Sequence, residues 1–548
     1  MDGLRRSAVI ATTFLLVAAI GLAVSYSAPY RANDDDPVYL IGALQARDGN
    51  LPDGKMLSAY DFGPYVFPKL LLAWHDPLGF WTFKSIVLVV LVVATGLAAY
   101  ALFRLIGLPW TPSLLLSVIA LMPREAAGTE VFGILTFREA IGRSVAVPAF
   151  LIATGVLLQR LIDRRSLWPL FAGVGLLMFL HPSTVMAFAG VSLITTAAVQ
   201  VVQGTAFSVV LRSTIVSGVA FVAAGGYFFV EVVTRLSRSV PATGASSTDY
   251  VAAVLFRNAW EFPAETILRF RHMAVVSAFF VTLLALYFAS PRLRRLRERY
   301  PFPHAREVAV FGIAMMIASL TIAIALPAIN LYLMEHADWP YVFQQWSRGS
   351  KFYYIGLFVA LAPAVSALTH WYRVSKNPFR HALLALFVTV GLASSSFGFE
   401  IAQFAASYPN FEAAYIPQAL SHVADDVTPE EYGETCRVLD ALGGGSNPPI
   451  VSDDFAFRYY CRADLYTTEE EGSVYSQFPR AEMVAWHRMV EAQTAALQTG
   501  DPATIRDFAR RVGARFVVVP RTKRYAAFEG VTGSAVAASS RHIVVRVN

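Results

Sequence analysis

Long apolar runs, separated by short turns rich in arginine, fill the first 403 residues. Eleven runs approach the ~20 residues that cross a bilayer core. They lie near 8–28, 80–103, 106–122, 143–161, 166–180, 183–202, 208–232, 273–290, 308–328, 352–370 and 382–403. The pattern predicts an α-helical polytopic membrane protein. The third and fifth runs are short, and Pro109 and Pro112 at the start of the third predict a kink there. The first run follows Arg5 and Arg6 as a secretory signal would. It is long for a signal, and Ser27-Ala28-Pro29 is a poor cleavage site, so it is expected to be a retained span.

The polar turns set the topology. With the N-terminus cytoplasmic, the inside turns carry Arg104, then Arg160, Arg164 and Arg165, then Arg212, the run 291–299, and finally Arg373, Lys376 and Arg380. Every arginine-rich short turn then falls on one side, as the positive-inside rule requires. The outside segments are 29–79, 123–142, 233–272, 329–351 and 404–548. An odd number of spans puts the C-terminal region in the same compartment as the first loop. The expected setting is the cytoplasmic membrane, with the tail extracytoplasmic.

The pattern changes at 404. Strand-like Pro449–Ser452, Arg515–Pro520 and His542–Val547 alternate with helical stretches at 479–498 and 502–512. Asp501-Pro502 supplies an N-cap and a first-turn proline for the second helix, and Gly513 ends it. This predicts a separate α/β domain over 404–548, beside a membrane domain over 1–403. Both cysteines, Cys436 and Cys461, lie in the tail. An oxidising exterior permits a bridge worth about 3 kcal/mol in the chain-entropy model. Two unpaired buried thiols are the alternative, and the sequence alone does not decide between them.

Composition agrees with the pattern: 55% of residues are hydrophobic and 15% charged, against about 25% charged in soluble domains. Net charge is +6, but the arginines serve membrane topology, so nucleic acid is not an expected partner. There is no phosphate-binding glycine loop and no Cys/His set at zinc spacing.

One polar stretch stands out. Asp34, Asp35 and Asp36 stand in a row just past the first span. Adjacent carboxylates repel, so the bland reading is a solvated turn closed by Pro37. Against it, the run sits near the bilayer surface, and an amphipathic stretch begins at Tyr39. That places the carboxylates at a helix N-terminus, which favours negative charge. The aromatic stretch Tyr60–Lys69 suits the headgroup level.

Asp35-Asp36-Pro37-Val38-Tyr39 resembles the Asp-Glu-Pro-x-Tyr motif of the C-type, multi-span glycosyltransferases that use polyprenyl-phosphate sugars. The likeness is to their protein-mannosyltransferase and aminoarabinose-transferase branch. The second acid is Asp here instead of Glu. Span number, topology and a soluble tail are similar too. In the tail, Asp453–Tyr460 and Gly513–Val519 look like the extracytoplasmic domains of this group.

The resemblance implies an inverting transfer of a sugar from a polyprenyl-phosphate donor to a glycan, lipid or protein acceptor. Asp35 becomes the general base and Asp36 its support or a metal ligand, with Asp34, Tyr39 and Glu139 as support for the substrate site. Mg²⁺ or Mn²⁺ suits such oxygen-rich sites, although some branches use no metal. The departing phosphate needs cations near the membrane. Arg138 and Arg143 flank the fourth span, and Arg348 and Lys351 precede the tenth. Anchoring at lipid headgroups is the alternative for all four. Glu139 or Glu130, then Asp249 or Glu265, could supply a second carboxylate. His181, before Pro182, reads first as a packed or capping residue, with substrate-site support as its functional alternative. A transporter or flippase of a lipid-linked or polymeric substrate, or a scaffold with a partner-binding tail, are the competing readings. Few charges fall within the spans, which argues against a coupled transporter.

Overall fold

The computed structural model of the chain describes residues 2–27, 80–121, 124–125, 131–132, 142–230, 246–258, 262, 277–299, 301–337, 339, 341, 346–376, 379–393, 429–445, 448–461, 463–469, 480–528 and 536–547. Six helices are long and apolar enough to cross a membrane: Ile86–Leu105, Val145–Ile162, Pro182–Val202, Phe207–Ala224, Ala305–His336 and Trp346–Val374. Shorter apolar helices, Trp110–Leu121, Trp168–Phe179, Ser277–Ala289 and Phe379–Gly391, stand at four other expected positions. The first run is helical from Asp2 to Ser27. The described residues therefore show six membrane-length helices where eleven spans were expected. Pro112 lies in the first turn of its helix, where an amide has no partner to lose, so the expected kink has no bond to break.

The organising element is the helix Phe352–Val374. Every residue from Phe352 to Ala367 is buried, so it is apolar on all sides because it has neighbours on all sides. Its main neighbour is Ala305–His336. The two backbones meet at Gly312 and Gly356. A Cβ at Gly312 would lie 2.5 Å from Ala360 N and from Gly356 O, and one at Gly356 would lie 2.7 Å from Gly312 O. Phe150, Phe188 and Phe352 cluster at the head of the same helix, with ring centroids 4.6 to 5.4 Å apart.

Several of the expected inside turns touch one another. Arg6 sits 5.9 Å from the Trp110 ring. Arg373 donates to Thr111 Oγ1 at 2.8 Å, and Gln159 donates to Leu105 O at 2.6 Å. Arg104 and Arg160 each bond a carbonyl of their own turn, Leu108 and Ser166. Gly107, at φ +99°, packs against Pro303. The segments expected outside meet elsewhere: 181–183 with 346–351, and 249–250 with 339–341 and the tail.

The tail is a five-stranded mixed sheet. After a short antiparallel pair earlier in the chain, β1 (Arg124–Glu125) and β2 (Val131–Phe132), its strands are β3 (Pro449–Val451), β4 (Asp464–Leu465), β5 (Phe516–Pro520), β6 (Val536–Ala538) and β7 (His542–Arg546). The order is β4-β3-β5-β7-β6, with β3 parallel to β4 and β5, and β7 antiparallel to β5 and β6. The fully apolar stretch Phe516–Val519 takes the centre, buried from both faces. Asp501 caps Pro502–Arg511 by accepting from Thr504 N at 2.8 Å, and Gly513 leaves the helix at φ +77°. Cys436 and Cys461 are bridged, tying the helix Pro429–Ala441 to the end of Ala456–Tyr460.

A buried histidine in the tail favours the folded state less as pH falls. His542 is 3% exposed, bonded through Nδ1 to Thr435 Oγ1 at 3.0 Å and set edge-on to Phe457. Burial pushes its pKa down to about 4, against an opposing pull from Glu431. The folded tail holds the ring neutral while the unfolded chain takes up its proton near 6.5. The stability this provides is complete above pH 6.5 and is lost as pH falls towards 4, about 2–3 kcal/mol by pH 4.5. Burial raises Asp453 and Asp454, which work in the opposite sense. The full-length protein is expected to melt earlier at pH 4.5 than at pH 7, and His542→Gln to flatten that difference. An equal drop in the variant would remove His542 as the cause.

Candidate anion-binding site

The 3₁₀ turn Trp346–Lys351 leads directly into the central helix, and every residue in it after Trp346 is buried. Gly349 lets it lie against Ala305–His336: a Cβ there would meet Ile322 Cγ2 at 2.8 Å. The turn carries Arg348, 5% exposed, and Lys351, 4% exposed. Headgroup anchoring by snorkelling requires exposed charged tips, and these are enclosed.

The second part of the site is the start of Pro182–Val202. Pro182 occupies the first helical position, and His181, in extended backbone at φ −161° and ψ 93°, is the N-cap. The Thr184 amide donates to His181 Nδ1 at 3.4 Å, and Ser183 Oγ lies 3.3 Å from the same nitrogen. His181 is thus the capping residue its sequence context suggests. It also touches the other half of the site: Arg348 Nη1 lies 3.0 Å from His181 Nε2 and donates to Ser183 Oγ at 3.3 Å.

The electrostatics follow from this geometry. Two helix N-termini, each with the positive end of its dipole, meet at the buried Arg348 guanidinium, and Lys351 is buried in the same turn. Arg348 can only donate, and its Nη1 lies nearer His181 Nε2, at 3.0 Å, than Nδ1, at 3.4 Å.

The remaining expected site residues divide as follows. Asp34, Asp35, Asp36, Tyr39, Arg138 and Glu139 lie outside the described residues, as do Glu130 and Glu265. Arg143 falls in the first turn of Gly142–Ile162. Asp249 forms an ion pair with Arg488 at 3.1 Å, a contact to the tail. Among the described residues, no three His, Cys, Asp or Glu side chains gather to hold a metal ion. The tail motif Asp453–Tyr460 has a structural account at Asp454: Oδ1 accepts from Ala456 N at 2.9 Å, and Oδ2 accepts from Tyr432 OH at 2.6 Å. Ser183, the hydroxyl between His181 and Arg348, was not a candidate. Its position directly after Pro182 in a helix start was the available signal.

No protein-family model and no curated protein matches the chain. Among solved structures, it aligns with ArnT from Cupriavidus metallidurans, crystallised bound to undecaprenyl phosphate, at 12% identity and a TM-score of 0.43, covering 98% of each chain. It also aligns with the oligosaccharyltransferase AglB from Archaeoglobus fulgidus, in complex with an inhibitory peptide and a dolichol-phosphate. There the identity is 12% and the TM-score 0.41, over 93% of this chain and 69% of that one. Identity and superposition are both low.

Proposed function

We propose that the protein is a membrane glycosyltransferase that moves a sugar from a polyprenyl-phosphate donor to an acceptor on the outer face of the cytoplasmic membrane. The observation that carries this reading is the buried pairing of Arg348 with His181 at the mouth of the central helix, 3.0 Å apart. A leaving phosphate bears growing negative charge, and fixed donors in a water-poor site stabilise it without reorganising. Arg348 and Lys351 are assigned to that phosphate, with His181 held beside Arg348. The carboxylate that takes the acceptor proton is assigned to Asp35, and Asp36 supports it. Their loop and the turn bearing Arg348 are both expected outside by the arginine count, so both face one compartment.

The test replaces Asp35 and Asp36 separately with Asn and follows sugar transfer from polyprenyl-phosphate donors in membranes. A missing general base costs about 10²–10⁴ in rate. Each variant is expected to accumulate normally and lose transfer. Full activity in both variants would refute the assignment.

A further inference from the structure

The tail helix Arg480–Gln498 does not pack only on its own sheet. It also meets the helix Ser247–Asn258 and the segment that follows Ala305–His336. Tyr250, Val254, Met334, Tyr341, Met483, Val484 and Trp486 form one buried apolar junction among the three. At its centre are two directional contacts. The Tyr341 amide donates to Tyr250 OH at 2.9 Å, and Arg480 donates through Nη2 to Trp339 O at 3.3 Å. The Arg480 guanidinium also lies 5.1 Å from the Tyr250 ring centroid, so one side chain grips both partners. Outside the junction, Arg488 pairs with Asp249 at 3.1 Å, an exposed contact that adds little.

Trp339 and Tyr341 stand shortly before Trp346, where the buried 3₁₀ turn begins. The backbone held by the tail is the backbone that leads into Arg348. We infer that Arg480 and Tyr250 form a latch by which the tail sets the position of the 3₁₀ turn Trp346–Lys351. Arg480 and Tyr250 are positioning residues: they act through the 339–341 backbone and touch neither Arg348 nor Lys351 in the contacts above. The latch itself stands on geometry alone. Its consequence for transfer, a weaker hold on the donor phosphate when the tail is released, rests on the proposed function.

A thiol at position 347 reads the latch without any substrate. Both native cysteines are bridged, so Ser347→Cys provides the chain's one free thiol. Ser347 is fully buried, and its hydroxyl has no hydrogen-bond partner among the described residues, so the exchange for sulfur is mild. Alkylation of full-length S347C by a membrane-impermeant maleimide is expected to be slow. Adding Arg480→Gln or Tyr250→Phe removes one directional contact and is expected to speed it about tenfold, the effect of losing one hydrogen bond involving a charged or buried group. Arg480→Lys keeps the cation over the Tyr250 ring and is expected to stay slow. Tyr250→Phe leaves the tail sequence untouched, so it decides the question if Arg480→Gln unfolds the tail. Unchanged alkylation in both variants would overturn the latch. Since no lipid is involved, that result is distinct from a failure of the enzyme to bind polyprenyl phosphate.

Discussion

Arg348→Gln is expected to lower sugar transfer by about 10²–10³, the usual cost of removing one preorganised donor from a developing oxyanion. The guanidinium is buried, bracketed by His181 and Ser183, and placed where two helix N-termini already favour an anion. Glutamine keeps the aliphatic stem and a polar end, so the local fold is expected to survive while the charge is lost. Arg348→Lys restores the charge without the planar fork and is expected to recover part of the rate. The readout is transfer per unit of folded protein in membranes. A glutamine variant at full rate would show that the turn has no part in the chemistry.

The second large effect is on folding. Gly356→Ala is expected to prevent accumulation of the protein or to lower its melting temperature by many degrees. The added Cβ would lie 2.7 Å from Gly312 O and 2.9 Å from Met316 N. Those are backbone atoms and cannot swing aside, so the two longest buried helices would have to separate. Overpacking of this kind costs about 1–3 kcal/mol, and more where backbone must move. Gly218→Ala is the control. It places the same methyl group in another apolar helix with nothing within 4 Å, and alanine favours a helix by about 1 kcal/mol. Equal behaviour of the two variants would show that the helices are not held as close as Gly312 and Gly356 imply.

These two cases mark what could be read from the chain beforehand. Hydropathy located the helices, because a membrane-length apolar run states its own length. Of the arginines in the turns, Arg6 and Arg373 meet the start of the helix Trp110–Leu121 at Trp110 and Thr111, while Arg104 and Arg160 close their own turns on Leu108 and Ser166. In the tail, Asp501-Pro502 and Phe516–Val519 were visible because a cap and an apolar strand are local signals. β4 and β6 span two and three residues, too short to show a period, and only their pairing with β3 and β7 defines them. The pairing of His181 with Arg348 joins positions 167 apart, which no local pattern encodes. Arg348 and Lys351 could be nominated as cations near the membrane, but their burial, which distinguishes a site from an anchor, is a property of packing. The grip of Arg480 on Tyr250 and Trp339 carried no sequence signal beyond an amphipathic helix.

The central claim is that the buried turn recognises the phosphate of a polyprenyl carrier. Trp346 stands at the head of that turn, which makes tryptophan fluorescence a suitable probe. Titration of the purified protein with a polyprenyl phosphate, and with the neutral polyprenol of the same length, separates recognition of the phosphate from recognition of the chain. The account predicts that the phosphate binds at least ~10-fold more tightly than the alcohol, as a charge-assisted contact implies, and that Arg348→Gln abolishes the difference. Equal affinity for the two lipids in the unmodified protein would contradict it.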